Sequence, residues 1–121
     1  MGKVAFALAV VLALGAAGCG ASDPSADGDC VDLTAGPTAR VGIADFGYAP
    51  PCFTVRLAQG IALTNDDAAD HTFTIRGTGV DAVVEGSASR NLDPLGAEAD
   101  PGTYDLICRY HPGMVGTITL R

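Results

Sequence analysis

Beyond residue 30, apolar and polar residues alternate with the two-residue period of strands that bury one face. Segment 38–44 sets Val41 and Ile43 on one side, and 52–57 sets Phe53, Val55 and Leu57 against Thr54 and Arg56. Segments 61–64 (Ile61, Leu63), 71–76 (Phe73, Ile75), 102–108 (Tyr104, Leu106, Cys108) and 115–121 (Ile118, Leu120) repeat the pattern, and 87–92 repeats it weakly. The intervals carry turn chemistry. Phe46 to Pro51 reads as a turn-rich crossing in which two prolines exclude a helix, and 58–60 as a tight connection. Residues 65–70 read as an acidic loop and 93–100 as a loop, while 77–86 has no clear period. About seven short strands in one domain, without an internal repeat, predict an all-β, Greek-key β-sandwich.

The first 29 residues have a different character. Lys3 precedes an apolar run over residues 4–14, too short to span a bilayer comfortably, and small residues then lead to Cys19. Residues 1–18 therefore read as a lipoprotein-type signal peptide, with Cys19 the lipidated first residue of the mature chain. Ala16 stands where a lipobox ordinarily has Leu. The alternative is a plain secretory signal cut near Ala17 or Ala21. Residues 19–29 lack large apolar side chains and read as a flexible tether, leaving 30–121 as the folded domain. The expected location is the periplasmic or extracellular face of the cell membrane, held there by the N-terminal lipid.

Composition fits this picture and narrows the partners. Of 121 residues, 16 are Gly and 7 Pro, which favours a turn-rich β domain. The formal net charge of -7 argues against nucleic acid, because phosphate neutralisation needs clustered Lys and Arg. It favours basic protein partners instead. A monomer is expected.

The four cysteines separate by context. With Cys19 assigned to the leader, Cys30 opens the domain and Cys52 opens a strand, and in an exported protein a Cys30–Cys52 disulfide is expected. Two buried free thiols are the alternative. Cys108 is left unpaired, as a metal-binding or reactive thiol requires.

Cys108 has notable neighbours. The chain holds two histidines, His71 and His111, and Met114 is its one methionine besides Met1. Three of these four residues fall in Cys108-x-x-His111-x-x-Met114, on the connection before the last strand. A thiolate with two imidazoles suits copper, and a thioether adds a weak axial contact. The mixed hard and soft set tolerates both Cu(II) and Cu(I). Zinc gains little from the thioether. A Cys–His hydrolase would need an orienting third residue and an oxyanion hole, neither of which is evident. Taken one at a time, Cys108 as an inert buried thiol and Met114 as core filler are alternatives.

Several blocks resemble the cupredoxin family of type I copper proteins, in its plastocyanin, amicyanin and pseudoazurin branch. They are Phe46-x-Tyr48-x-Pro50, Phe53-x-Val55, Leu63-Thr64-Asn65 with His71-Thr72, Pro101-Gly102-Thr103-Tyr104, and Cys108-x-x-His111-Pro112-x-Met114-x-Gly116-Thr117-Ile118. The ligand spacing is similar to the short-loop amicyanin type. The resemblance implies one copper ion, bound by ring nitrogens of His71 and His111 and by the Cys108 thiolate, with Met114 axial. It implies a hydrogen bond from the Thr72 amide to the Cys108 sulfur. Asn65 is expected to order the loop before His71, with an ordinary turn residue as the alternative. Electrons would pass at His111, within a patch formed by Pro112 and Gly113 with Ala49 to Pro51 as a further candidate edge. Ile107 stands where plastocyanins carry a Tyr before the ligand Cys, which puts a second, acidic docking route in doubt. Asp66, Asp67 and Asp70 are expected to be a solvated loop face, with steering of a basic partner as the alternative.

The expected function is single-electron transfer without catalysis, since no spare histidine remains to build a second copper centre. A copper-binding protein for storage, delivery or resistance is the alternative.

Overall fold

A computed structural model describes residues 30–121; the expected signal peptide and tether, with Cys19, lie outside the described residues. Ten strands form: β1 (Val31–Asp32), β2 (Thr38–Ala44), β3 (Gly47–Ala49), β4 (Cys52–Val55), β5 (Gly60–Asn65), β6 (His71–Ile75), β7 (Asp81–Val84), β8 (Ser89–Leu92), β9 (Gly102–Ile107) and β10 (Val115–Leu120). A single 3-10 turn, Leu95–Ala97, interrupts the connection between β8 and β9. Among the described residues, no helix is long and apolar enough to cross a membrane.

The strands make two mixed sheets, ordered β1-β4-β10-β9-β6-β7 and β3-β2-β5-β8, packed as the expected β-sandwich. All seven expected strands are present, with ends moved by at most two residues. The count of about seven is corrected by three short additions. β1 lies parallel to β4, with Val31 opposite Phe53, next to a Cys30–Cys52 disulfide that forms as expected. β3 falls inside the stretch read as a turn-rich crossing. β7 falls inside the unassigned segment, where Ala82 and Val84 alternate inward.

The alternation places the core correctly. Val41, Ile43, Phe53, Val55, Ile61, Leu63, Phe73, Ile75, Leu106, Ile118 and Leu120 are all buried. Each such side chain contributes roughly 1.5–3 kcal/mol relative to leaving it in water. Leu57 and Tyr104 pack at the margin of this cluster.

β2 and β3 form a hairpin in which Ala44 pairs with Gly47, so Asp45 and Phe46 are its two loop residues. Their φ angles, 51° and 57°, are both left-handed, as a tight primed turn demands. For an ordinary L-residue this conformation costs about 1–2 kcal/mol. The hairpin tip, the start of β6 and the β9–β10 connection meet at one end of the sandwich.

Candidate metal centre

His71 is the first residue of β6, opposite Val84 of β7, and its side chain is fully buried. Cys108 follows directly on β9. The segment from Cys108 to Met114 closes on itself: the Cys108 N–H donates to the Met114 carbonyl at 3.1 Å, and the Met114 N–H donates to the His111 carbonyl at 2.9 Å. β9 and β10 pair as antiparallel neighbours from Val115 opposite Ile107 onward, which fixes the neck of this loop. Cys108 and Met114 are buried in the core cluster, and His111 is half-buried.

The potential ligand atoms of His71, Cys108 and His111 lie within 4.8 Å of one another. Cys108 Sγ is 3.8 Å from His71 Nδ1. Burial pushes the Cys108 thiol up, but the Thr72 amide, the His71 ring and the Tyr110 and His111 amides outweigh it and hold the thiol below its ordinary value. The thiolate is the form that binds metals. His111 Nε2 is buried and has no hydrogen-bond partner. A buried imidazole nitrogen without a partner, beside a stabilised thiolate and a second imidazole, is a donor set that a soft or borderline cation satisfies.

The surrounding bonds hold this arrangement in place. The Thr72 amide donates to Cys108 Sγ at 3.3 Å. Asn65 is buried at the end of β5; its side-chain amide donates to the carbonyls of Ala69, Val84 and Glu85, and its Oδ1 accepts the Asp67 N–H. It thereby ties the 65–70 loop to the end of β7. Behind Cys108, the Arg109 amide donates to the Thr72 hydroxyl at 2.8 Å, and that hydroxyl lies 2.9 Å from the Thr74 hydroxyl. The Thr74 hydroxyl and Arg109 Nε both donate to Asp81 Oδ1. The Tyr48 hydroxyl donates to the Thr72 carbonyl at 2.6 Å, and burial raises its pKa well above the ordinary phenol value.

Two residues at the site have roles that sequence reasoning missed. Asp67, read with Asp66 and Asp70 as a solvated face, instead turns its carboxylate inward. Its Oδ2 lies 2.8 Å from His71 Nε2, and it accepts the amides of Asp45 and Phe46 at 2.9 Å each. Phe46 packs its ring edge-on against His71, with centroids 5.1 Å apart, and against His111, at 4.9 Å. The available signal was an acid four residues before His71, but its other partners are backbone amides and carry no residue-type signature. Asp66 and Asp70 are exposed, as expected. Pro112 and Gly113 are exposed at the loop tip.

The geometry can be set beside known proteins. A family profile described as a cupredoxin-like domain matches residues 5–120. Amicyanin-alpha of Methylorubrum extorquens is 32% identical over 91 residues, covering 74% of this chain and 76% of its own length. A Cu(I) structure of an amicyanin variant superposes with a TM-score of 0.56 at 21% identity, covering 70% of this chain and 83% of that one. A copper-containing nitrite reductase from Thermus scotoductus SA-01 shares the fold with a TM-score of 0.54 at 17% identity, over 68% of this chain but 22% of the reductase.

Proposed function

This chain belongs to the cupredoxin-like family, and from that premise we propose that it is an exported single-copper protein that carries electrons one at a time. The observation that carries this reading is the gathering of His71, Cys108 and His111 ligand atoms within 4.8 Å, around a free buried cysteine. His71, Cys108 and His111 would hold the ion, and the Met114 thioether would be a weaker further donor. Copper bound there supplies a one-electron couple between Cu(II) and Cu(I).

The chain's own residues do the rest. Cys108 and His71 are fixed by backbone and side-chain hydrogen bonds, so the ligand set need not rearrange when the charge at the centre changes. Burial keeps bulk water away from the sulfur. Both histidines of the chain are used in this one centre, which favours carriage over catalysis. Phe46 is exposed and packs its ring 4.9 Å from that of His111, and Pro112 and Gly113 follow His111 at the exposed loop tip, so an apolar face lies beside His111. Asp45, Asp66 and Asp70 are exposed close to the hairpin tip in sequence or through the 65–70 loop. A redox partner with an apolar contact surface and basic flanking residues fits that face. Tethering to the membrane through Cys19 belongs to the same reading and rests on the leader sequence.

The test is addition of Cu(II) to the domain, followed by an absorption spectrum and cyclic voltammetry. An intense visible thiolate-to-copper band with fast reversible cycling is the expected result. A colourless, redox-silent complex overturns the carrier and favours copper storage or delivery.

A further inference from the structure

One carboxylate joins three donors that sit on two different parts of the site. Asp67 Oδ1 accepts the Asp45 amide at 2.9 Å, and Oδ2 accepts both the Phe46 amide at 2.9 Å and the His71 Nε2 proton at 2.8 Å. We propose that Asp67 is a positioning residue that latches the Phe46 ring as a lid over the imidazoles of His71 and His111, so that ligand and lid are held by the same group. The proposal rests on the reading that those imidazoles hold copper.

Asp45 and Phe46 are consecutive non-glycine residues in the left-handed region, a conformation a bulky side chain such as Phe adopts only when its surroundings impose it. Successive amides of such a turn point the same way and make a concave site for an anion. Asp67 fills that site from inside the protein. The turn is therefore held by the carboxylate, and the Phe46 ring is carried with it.

The ring's placement gives the latch a purpose. Phe46 meets His71 at 86° and His111 at 80°, and the two imidazoles lie 4.8 Å apart. With 53% of its surface exposed, Phe46 stands between the imidazoles and solvent. On the other side, a carboxylate against Nε2 keeps the proton on that nitrogen and leaves Nδ1 to face Cys108 Sγ. Lifting the lid to exchange the ion would break the amide hydrogen bonds to the group that also orients His71.

The chemistry distinguishes Asp from its near-isostere. Both carboxylate oxygens accept. An amide at this position offers one accepting oxygen and sets an NH2 group against at least one donor. Phe46→Gly is the complementary variant: glycine favours the left-handed φ, so the ring is removed while the turn is kept.

The experiment measures copper release to excess chelator, read by loss of the thiolate band, for the wild type, Phe46→Gly, Asp67→Asn and the double variant. Amide hydrogen exchange of Asp45 and Phe46 is followed in the metal-free proteins. Each single change is expected to speed release roughly tenfold or more, the scale seen when a ligand's outer partner is lost. The double variant should release no faster than the faster single one. Asp67→Asn should lose protection at one or both of these amides, and Phe46→Gly should lose it at neither. Wild-type release from Phe46→Gly overturns the lid. Multiplying rates in the double variant, or unchanged amide protection in Asp67→Asn, overturns the latch. If Asp67→Asn does not fold, release from Phe46→Gly decides the lid alone. A wild-type domain that takes up no copper overturns the copper reading instead, and amide exchange then decides the latch.

Discussion

The backbone amide of Thr72 points at the sulfur of Cys108 from 3.3 Å, while the hydroxyl of the same residue accepts the amide of Arg109 from 2.8 Å. One residue of β6 thus holds both Cys108 and the residue after it. The two contacts are separable, because only the second uses the side chain.

Thr72→Val should show this separation. The valine keeps the shape and the backbone hydrogen bond to sulfur but leaves the Arg109 N–H without its acceptor. The metal-free domain should lose about 1–3 kcal/mol of unfolding free energy, the cost of an unsatisfied donor. The copper thiolate band should stay in place. Urea unfolding and an absorption spectrum check the two halves, and a bleached band at unchanged stability would contradict the division of roles.

The ligand set makes a graded prediction. Cys108→Ser should abolish the intense visible band while the apo fold survives, since the substitution is small. Met114→Leu is close to volume-conserving in the core and should cost less than about 1.5 kcal/mol. It should retain copper and raise the reduction potential, because removing an axial donor disfavours the more highly charged ion. Voltammetry of the loaded variant measures this; loss of all copper would refute an axial role for Met114.

The core and the grouping of Cys108 with His111 were legible in the sequence, and the reasons are physical. Strands such as β6 and β10 bury one face, so their two-residue period survives in the order of residues. Cys108, His111 and Met114 sit within one short connection, so spacing alone joins them. β3 was not legible. Its turn uses Asp45 and Phe46 in left-handed conformations, whereas the residue that ordinarily advertises such a turn, Gly47, lies just beyond it. Asp67 was hidden for a related reason. It binds amides 21 and 22 residues earlier in the chain, and an amide looks the same whatever side chain it bears.

Acid should weaken the metal-free domain partly through Asp81. The Arg109 side chain, then the Thr74 hydroxyl, holds this carboxyl below its ordinary value of 3.8. A depressed folded-state value means that its contribution is complete above about pH 3.8 and fades as pH falls through the lower folded value. Asp81→Asn should therefore be less stable than wild type at neutral pH, by no more than the roughly 0–1 kcal/mol of an exposed ion pair. The gap should close in strong acid. Urea midpoints across the acid range measure it, and a gap that stays constant would remove Asp81 from the account.

Gly86 tests how the 65–70 loop is seated. Its N–H donates to Asp70 Oδ1 at 2.8 Å, and the next amide, of Ser87, donates to the Asp67 carbonyl at 2.8 Å. A Cβ added at Gly86 would fall on the Ala68 carbonyl and lie 3.3 Å from the Ala69 nitrogen. The obstruction is backbone, so it cannot swing aside as a side chain could, and the loop itself must move. That loop carries Asp67 and runs directly into His71. Gly86→Ala should accordingly cost about 1–3 kcal/mol, as overpacking does, and should also loosen the centre: faster copper release, with lost amide protection at Asp45 and Phe46. Gly113→Ala is the matched control, since a Cβ there meets nothing within 4 Å, and its unfolding midpoint should equal that of wild type. If Gly86→Ala lowers stability while copper release and those two amides stay unchanged, the loop's seat and the metal centre are mechanically independent, and Asp67 does not carry strain between them.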